Sequence, residues 1–139
     1  MKLSTILLSI MLGLSSSTMA QQKDITIKLI ETTDVHGSFF PYDFITRKPK
    51  SGSMARVYTL VEELRKKNGK DNIYLMDNGD ILQGQPISYY YNYVAPEKTN
   101  IAASVLNYMG YDVATVANHD IETGHEVYDK WFKELKFPI

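Results

Sequence analysis

Cysteine is absent from the 139-residue chain. That absence excludes disulfide frameworks, thiolate zinc sites, cysteine nucleophiles and lipid attachment at a leader cysteine. Neither sign of charge dominates. With 15 Lys+Arg against 16 Asp+Glu, there is no basic footprint for a nucleic-acid polymer and no acidic tail. No apolar run reaches the ~20 residues that a membrane-spanning helix needs. What is present is 44% hydrophobic and 22% charged residues, the composition of a globular core, at a length that suits one domain. Any metal must therefore be held by His, Asp, Glu or Asn.

The first twenty residues read as a leader. Met1-Lys2 is a basic start, Leu3 to Leu14 is a short apolar run, and Thr18-x-Ala20 is a small-x-small exit before Gln21-Gln22. This order is that of a secretory signal peptide, so residues 1–20 are expected to direct export. A secreted chain without cysteine fits a bacterial periplasm or exterior, with no membrane attachment once the leader is cleaved.

The remaining chain alternates strand and helix. Ile25, Ile27 and Leu29 alternate with polar neighbours and run through Ile30 to Thr33 as a strand. Phe39 to Gly52 carries too many prolines and glycines for a regular element. Met54, Val57, Leu60, Val61 and Leu64 make a helical face between Ser53 and Gly69, with Arg65-Lys66-Lys67 as a solvated last turn that complements the helix dipole. Asn72 to Met76 reads as a second strand. Pro86 opens a short helix, and the face Ile101, Ala102, Val105, Leu106, Met109 a longer one capped by Thr99 or Asn100 and ended by Gly110. Asp112 to Ala117 reads as a strand buried on both sides, Val127, Trp131 and Leu135 as a last helix, and Lys136 to Ile139 as a fourth strand beginning. This βαβαβα order predicts an α/β fold with largely parallel strands, each helix serving as a crossover. Because the alternation asks for another strand at Ile139, the chain is expected to be part of a longer protein.

Polar residues gather where the strands end. Asp34 and His36 follow the first strand, Asp80 the second, and Asn118-His119-Asp120 the third. In open α/β sheets, ligands bind beyond the carboxyl ends of the strands. Asp34 and His36, two apart in extended backbone, share a side and could grip one ion together, their oxygen and imidazole nitrogen suiting zinc, manganese or iron. Asp80 has two oxygens and could bridge two ions ~3.5–4 Å apart, as in two-metal phosphoesterase sites. Taken singly, Asp34 also reads as a loop cap, Asp80 as a turn residue and His119 as a hydrogen-bonded histidine. Their shared placement after successive strands favours a metal site.

Three segments carry a family resemblance: Ile30-Glu31-Thr32-Thr33-Asp34-Val35-His36, Asp77-Asn78-Gly79-Asp80-Ile81-Leu82-Gln83-Gly84, and Ala117-Asn118-His119-Asp120. In this order and spacing the chain resembles the calcineurin-like metallophosphoesterases, within them the secreted 5′-nucleotidase/2′,3′-cyclic-nucleotide 2′-phosphodiesterase family. The wording of the first two segments is nearer the cyclic phosphodiesterase/3′-nucleotidase branch. The resemblance implies that residues 21–139 are the N-terminal portion of the catalytic domain, the first part of a metallophosphoesterase αββα sandwich. It implies two divalent metal ions, zinc, manganese or similar. Asp34 and His36 would bind the first, Asp80 would bridge both, and Asn118 would bind the second.

Such enzymes hydrolyse small nucleotide phosphate esters by in-line attack of a metal-held water, and His119 would protonate the departing alkoxide. The family's partner acid for that histidine is an Asp three residues on. Glu122 stands there, with Asp120 the other nearby acid. Ala117 replaces the family's usual glycine. Further metal ligands, mostly histidines, and a nucleotide-binding domain are implied beyond Ile139, so that the 139 residues alone would bind metal weakly and not turn over. A hydrolase of a non-nucleotide ester and a non-catalytic binding fragment are the competing expectations. His125 reads as a solvent-facing or capping residue, and Tyr89, Tyr90, Tyr91 and Tyr93 as rings that pack a helix onto the sheet with some left to solvent.

Overall fold

The computed structural model describes residues 24–139; the leader expected over residues 1–20 lies outside them. The alternation that starts at Ile25 settles into strand β1 only over Lys28–Thr32. The segment from Phe39 to Gly52, expected to lack regular structure, holds a small antiparallel hairpin of β2 (Tyr42–Asp43) and β3 (Lys48–Pro49). Its turn is organised by Asp43, whose carboxylate accepts from the N–H groups of Ile45 and Thr46 at 2.8 and 3.1 Å. Two-residue strands leave no periodicity to read, which is why the sequence pattern misses them.

Helix α1 runs Met54–Asn68, started by Ser53, whose hydroxyl accepts from the Arg56 N–H, and ended at Gly69. Strand β4 follows over Ile73–Asp77. Then come α2 (Pro86–Tyr89), a π-turn over Tyr90–Val94, α3 (Ile101–Met109), β5 (Val113–Ala114), α4 (Asn118–Ile121) and α5 (His125–Glu134). Asn100 caps α3 by accepting from the N–H groups of Ala102 and Ala103, and Gly110 ends it in the left-handed region, φ 70°. The third strand is much shorter than expected. Lys136 to Ile139 forms no strand, although the Pro138 carbonyl accepts from the Ala114 N–H at 3.2 Å, beside β5.

The sheet has the order β1-β4-β5 and is parallel throughout, with Ile30 opposite Leu75, Thr32 opposite Asp77, and Asp77 opposite Ala114. This is the α/β fold with parallel strands, and it puts three carboxyl ends side by side. Ile73 and Leu75 join Val61 of α1, Leu106 and Met109 of α3, and Val127 and Trp131 of α5 in one buried cluster. Each such side chain contributes roughly 1.5–3 kcal/mol through burial. On the sheet's other face Leu29 and its partner Tyr74 are exposed, as are Ile25 and Ile27 nearby.

Two sequence readings change here. Arg65 is not simply a solvated residue: its Nη1 and Nη2 donate to the Met109 and Gly110 carbonyls at 2.8 and 3.1 Å, closing the end of α3 from the neighbouring helix. The tyrosine-rich segment packs through Ser88 and Asn92, both buried, whereas Tyr89, Tyr90 and Tyr93 are exposed. Asn92 carries much of this packing. Its amide donates to the Leu82 carbonyl at 2.8 Å and accepts from Asn100 at 3.0 Å, so a polar residue anchors the segment. Among the described residues, no helix is long and apolar enough to cross a membrane.

Candidate metal centre

Three of the candidate residues have backbone that L-residues seldom adopt. Asp34, His36 and Asp80 lie at φ 52°, 48° and 59°. Asp and His are among the types that tolerate this left-handed region, and such strain clusters where a site demands it. Hydrogen bonds from the β4 loop hold the first two in place. The Asp34 N–H donates to the Gly79 carbonyl at 3.1 Å and the His36 N–H to the Asp80 carbonyl at 2.9 Å. Gly84, at φ 121°, lets the chain pass so close that a Cβ there would lie 2.4 Å from the His36 carbonyl oxygen. Gln83-Gly84 thus shapes the loop around His36.

Donor atoms of His36, Asp80 and His119 lie within 4.8 Å of one another. The His36 and His119 rings meet edge to face at 5.3 Å. Asp34 lies outside that group of three, with one carboxylate oxygen 3.9 Å from His36 Nε2. Asn118 stands beside His119 at the start of α4, an unexpected single turn that follows β5. Asp80 is buried, and its Oδ1 accepts from the His119 N–H at 2.9 Å. The donors are two imidazoles and carboxylate oxygen on preset backbone, a set that fits a borderline divalent ion such as zinc or manganese. His119 stands in the same cluster, where the family resemblance has it contact the phosphate and stabilise or protonate the departing alkoxide.

The partner of His119 is visible. His119 Nδ1 lies 2.8 Å from a Glu122 carboxylate oxygen, which leaves Nε2 as the nitrogen free for other contacts. That hydrogen bond raises the His119 pKa, with the nearby charges of Glu122, Asp80 and Asp120 adding to it, and it lowers that of Glu122. Asp120, the alternative acid, is engaged elsewhere. It is fully buried, and its two oxygens accept from the N–H groups of Asp80, Ile81, Leu82 and Ala117 at 2.7–3.1 Å. Sequence reading missed this role.

Beneath the site, Asp77 is buried and its carboxyl is pushed up to about 6, chiefly by loss of solvent. Thr32 donates to it at 2.7 Å and meets the Tyr111 hydroxyl at 2.9 Å, where burial pushes the phenol up to about 12. His125 is exposed at the first position of α5, away from this cluster, with its ring against Tyr128.

No family model matches the chain. Relatives and solved structures do. The chain is 33% identical over 134 residues to the 2′,3′-cyclic-nucleotide 2′-phosphodiesterase/3′-nucleotidase of Haemophilus influenzae, covering 92% of this chain and 20% of that protein. It is 32% identical over 120 residues to the trifunctional nucleotide phosphoesterase protein YfkN of Bacillus subtilis, covering 81% of this chain and 8% of that protein. The crystal structure of calcineurin-like phosphoesterase YfkN superposes with a TM-score of 0.73 at 31% identity, covering 84% of this chain and 36% of that one. A parallel sheet with acidic and imidazole side chains at its carboxyl edge, matched in this way, defines a calcineurin-like phosphoesterase fold. Within that superfamily the chain belongs to the 5′-nucleotidase/2′,3′-cyclic-nucleotide phosphodiesterase family, and it spans a fifth or less of the length of these curated relatives.

Proposed function

We propose that the chain supplies the first half of a two-metal centre for hydrolysis of nucleotide phosphate esters, of the 5′-nucleotidase or 2′,3′-cyclic-nucleotide phosphodiesterase/3′-nucleotidase type. The observation that carries this reading is the convergence of His36, Asp80 and His119 donors within 4.8 Å at the ends of successive parallel strands. Asp34 and His36 would hold one ion, Asn118 the other, and Asp80 both. Bound divalent ions supply an activated water and neutralise charge on the phosphoryl oxygens.

The chain's own groups do the rest. His119, protonated more readily because of Glu122, donates a proton to the departing alkoxide. Glu122 fixes the imidazole tautomer by engaging Nδ1. Asp34, His36, Asp80 and Asn118 do not fill two ions' shells, so we infer that further ligands complete them. The leader-like residues 1–20 support export to a periplasm or exterior.

The test is release of phosphate or ring opening from 2′,3′-cyclic AMP, 3′-AMP and 5′-AMP by the complete protein with added manganese or zinc. Asp80→Ala is expected to abolish turnover with all three. Retained turnover would remove Asp80 from the centre, and inertness of the parent protein toward every nucleotide would favour the non-nucleotide ester.

A further inference from the structure

The Asp120 carboxylate faces a donor set that nothing else in the loop satisfies. Oδ2 accepts from the Asp80 N–H at 2.7 Å and the Ala117 N–H at 3.1 Å; Oδ1 accepts from those of Ile81 at 3.0 Å and Leu82 at 2.9 Å. Three of these amides are consecutive, and they follow the left-handed turn at Asp80. The fourth lies next to Asn118. A buried carboxylate is costly unless hydrogen bonds to its charged form compensate it, and four N–H groups do so.

The grip is reciprocal. While Asp120 holds the backbone of residue 80, the His119 N–H holds the Asp80 side chain at 2.9 Å. Thr123 fastens the other end of Asp120, its hydroxyl donating to the Asp120 carbonyl at 2.6 Å. Gly79 makes room for this approach, since a Cβ there would lie 2.6 Å from the Ala117 nitrogen and 3.1 Å from Asp120 Oδ2.

Resting on the metal-centre reading above, we propose that Asp120 is a positioning residue: its carboxylate ties the loop carrying Asp80 to the loop carrying Asn118 and His119, so the ligand geometry is set before an ion arrives. The chemistry requires an acid. In Asp120→Asn the single remaining oxygen can serve only one pair, Ile81 and Leu82 or Asp80 and Ala117, while the amide NH₂ confronts the other pair, donor against donor. Either way two of the four bonds between the loops are lost.

The test uses the full-length chain, first without metal and then with manganese. In the ion-free parent, amide exchange at Asp80, Ile81, Leu82 and Ala117 is expected to be slow although these amides lie in loops. Fast exchange there overturns the proposal without any variant. In Asp120→Asn, exchange at one of the two pairs, Asp80 with Ala117 or Ile81 with Leu82, should accelerate about tenfold or more; unchanged protection of all four would overturn the proposal. Manganese affinity, measured by calorimetry well below both melting temperatures, should fall about 10- to 100-fold.

Val61→Ala, a change within α1 that touches none of the Asp120 hydrogen bonds, should lower the melting temperature yet leave exchange at Asp80 and Ala117 and the affinity at parental values. Affinity in Asp120→Asn that matches Val61→Ala would reduce Asp120 to a stability residue and end the proposal. A parent that takes up no manganese yet shows the protected amides would instead remove the metal-centre reading and leave the clamp between the loops standing.

Discussion

His119 Nδ1 and a Glu122 carboxylate oxygen lie 2.8 Å apart, one helical turn from each other at the start of the segment after β5. Each shifts the other: the histidine pKa is raised and the glutamate pKa lowered by the shared hydrogen bond. Glu122→Gln removes the charge but keeps the reach. The imidazole should then titrate at lower pH, so that the protonated form is lost sooner as pH rises. Carbon-bound ring protons of His119 followed by NMR across pH 5 to 9 check this; an unchanged midpoint would mean that the pair does not form in solution.

Asp77 makes stability depend on pH in the direction opposite to a salt-bridged acid. Its folded pKa of about 6 lies above the ordinary 3.8, so the folded state holds the proton more tightly. The stabilisation is fully present below pH 3.8 and is lost as pH rises through about 6. The loss is roughly 3 kcal/mol. Asp77→Asn should flatten this component, seen as a shrinking difference between parent and variant in urea unfolding as the pH is lowered from 7 to 4.

Gly84→Ala should damage the site through backbone alone. At φ 121° an alanine is strained, and its Cβ would meet the His36 carbonyl oxygen at 2.4 Å. The expected cost is about 2 kcal/mol or more. Displacement of His36 should also weaken zinc or manganese uptake beyond what the lower melting temperature explains. Calorimetric titration at 10 °C, where both forms are folded, separates the two effects.

Asn100→Ala should be among the costlier single changes outside the site. The side chain caps two amides of α3 and pairs with buried Asn92, so its removal loses a cap and orphans a polar partner. A cost of about 2–3 kcal/mol is expected from denaturant unfolding. Replacement by Asp, which keeps the cap but cannot donate to Asn92, should fall between.

What could be read from the sequence was local. Ser53, Asn100, Gly69 and Gly110 mark helix ends because each acts within three or four residues of itself. The order of strands and the placement of Asp34, Asp80 and Asn118 after them also followed from pattern. The long-range acceptors did not. Asp120 serves amides 38 to 40 residues away, and Arg65 serves carbonyls 44 and 45 residues away, separations over which no periodicity speaks. The tyrosine segment reads as rings partly packed and partly in solvent; Tyr89, Tyr90 and Tyr93 lie in solvent, because the buried positions of that segment went to Ser88 and Asn92. Whether Glu122 or Asp120 engages His119 was open in the sequence because both lie within three residues; the fold separates them by burying one.

The left-handed backbone at Asp34, His36 and Asp80 bears on transplanting this centre. Copying the side chains onto the strand ends of another α/β protein would place them on extended backbone, where they diverge from these directions. A working graft would have to carry whole loops, Thr33 to Ser38 with Gly79 to Gln85, because the glycines and the cross-loop amide bonds are what aim the side chains. The transferable unit is a pair of turns.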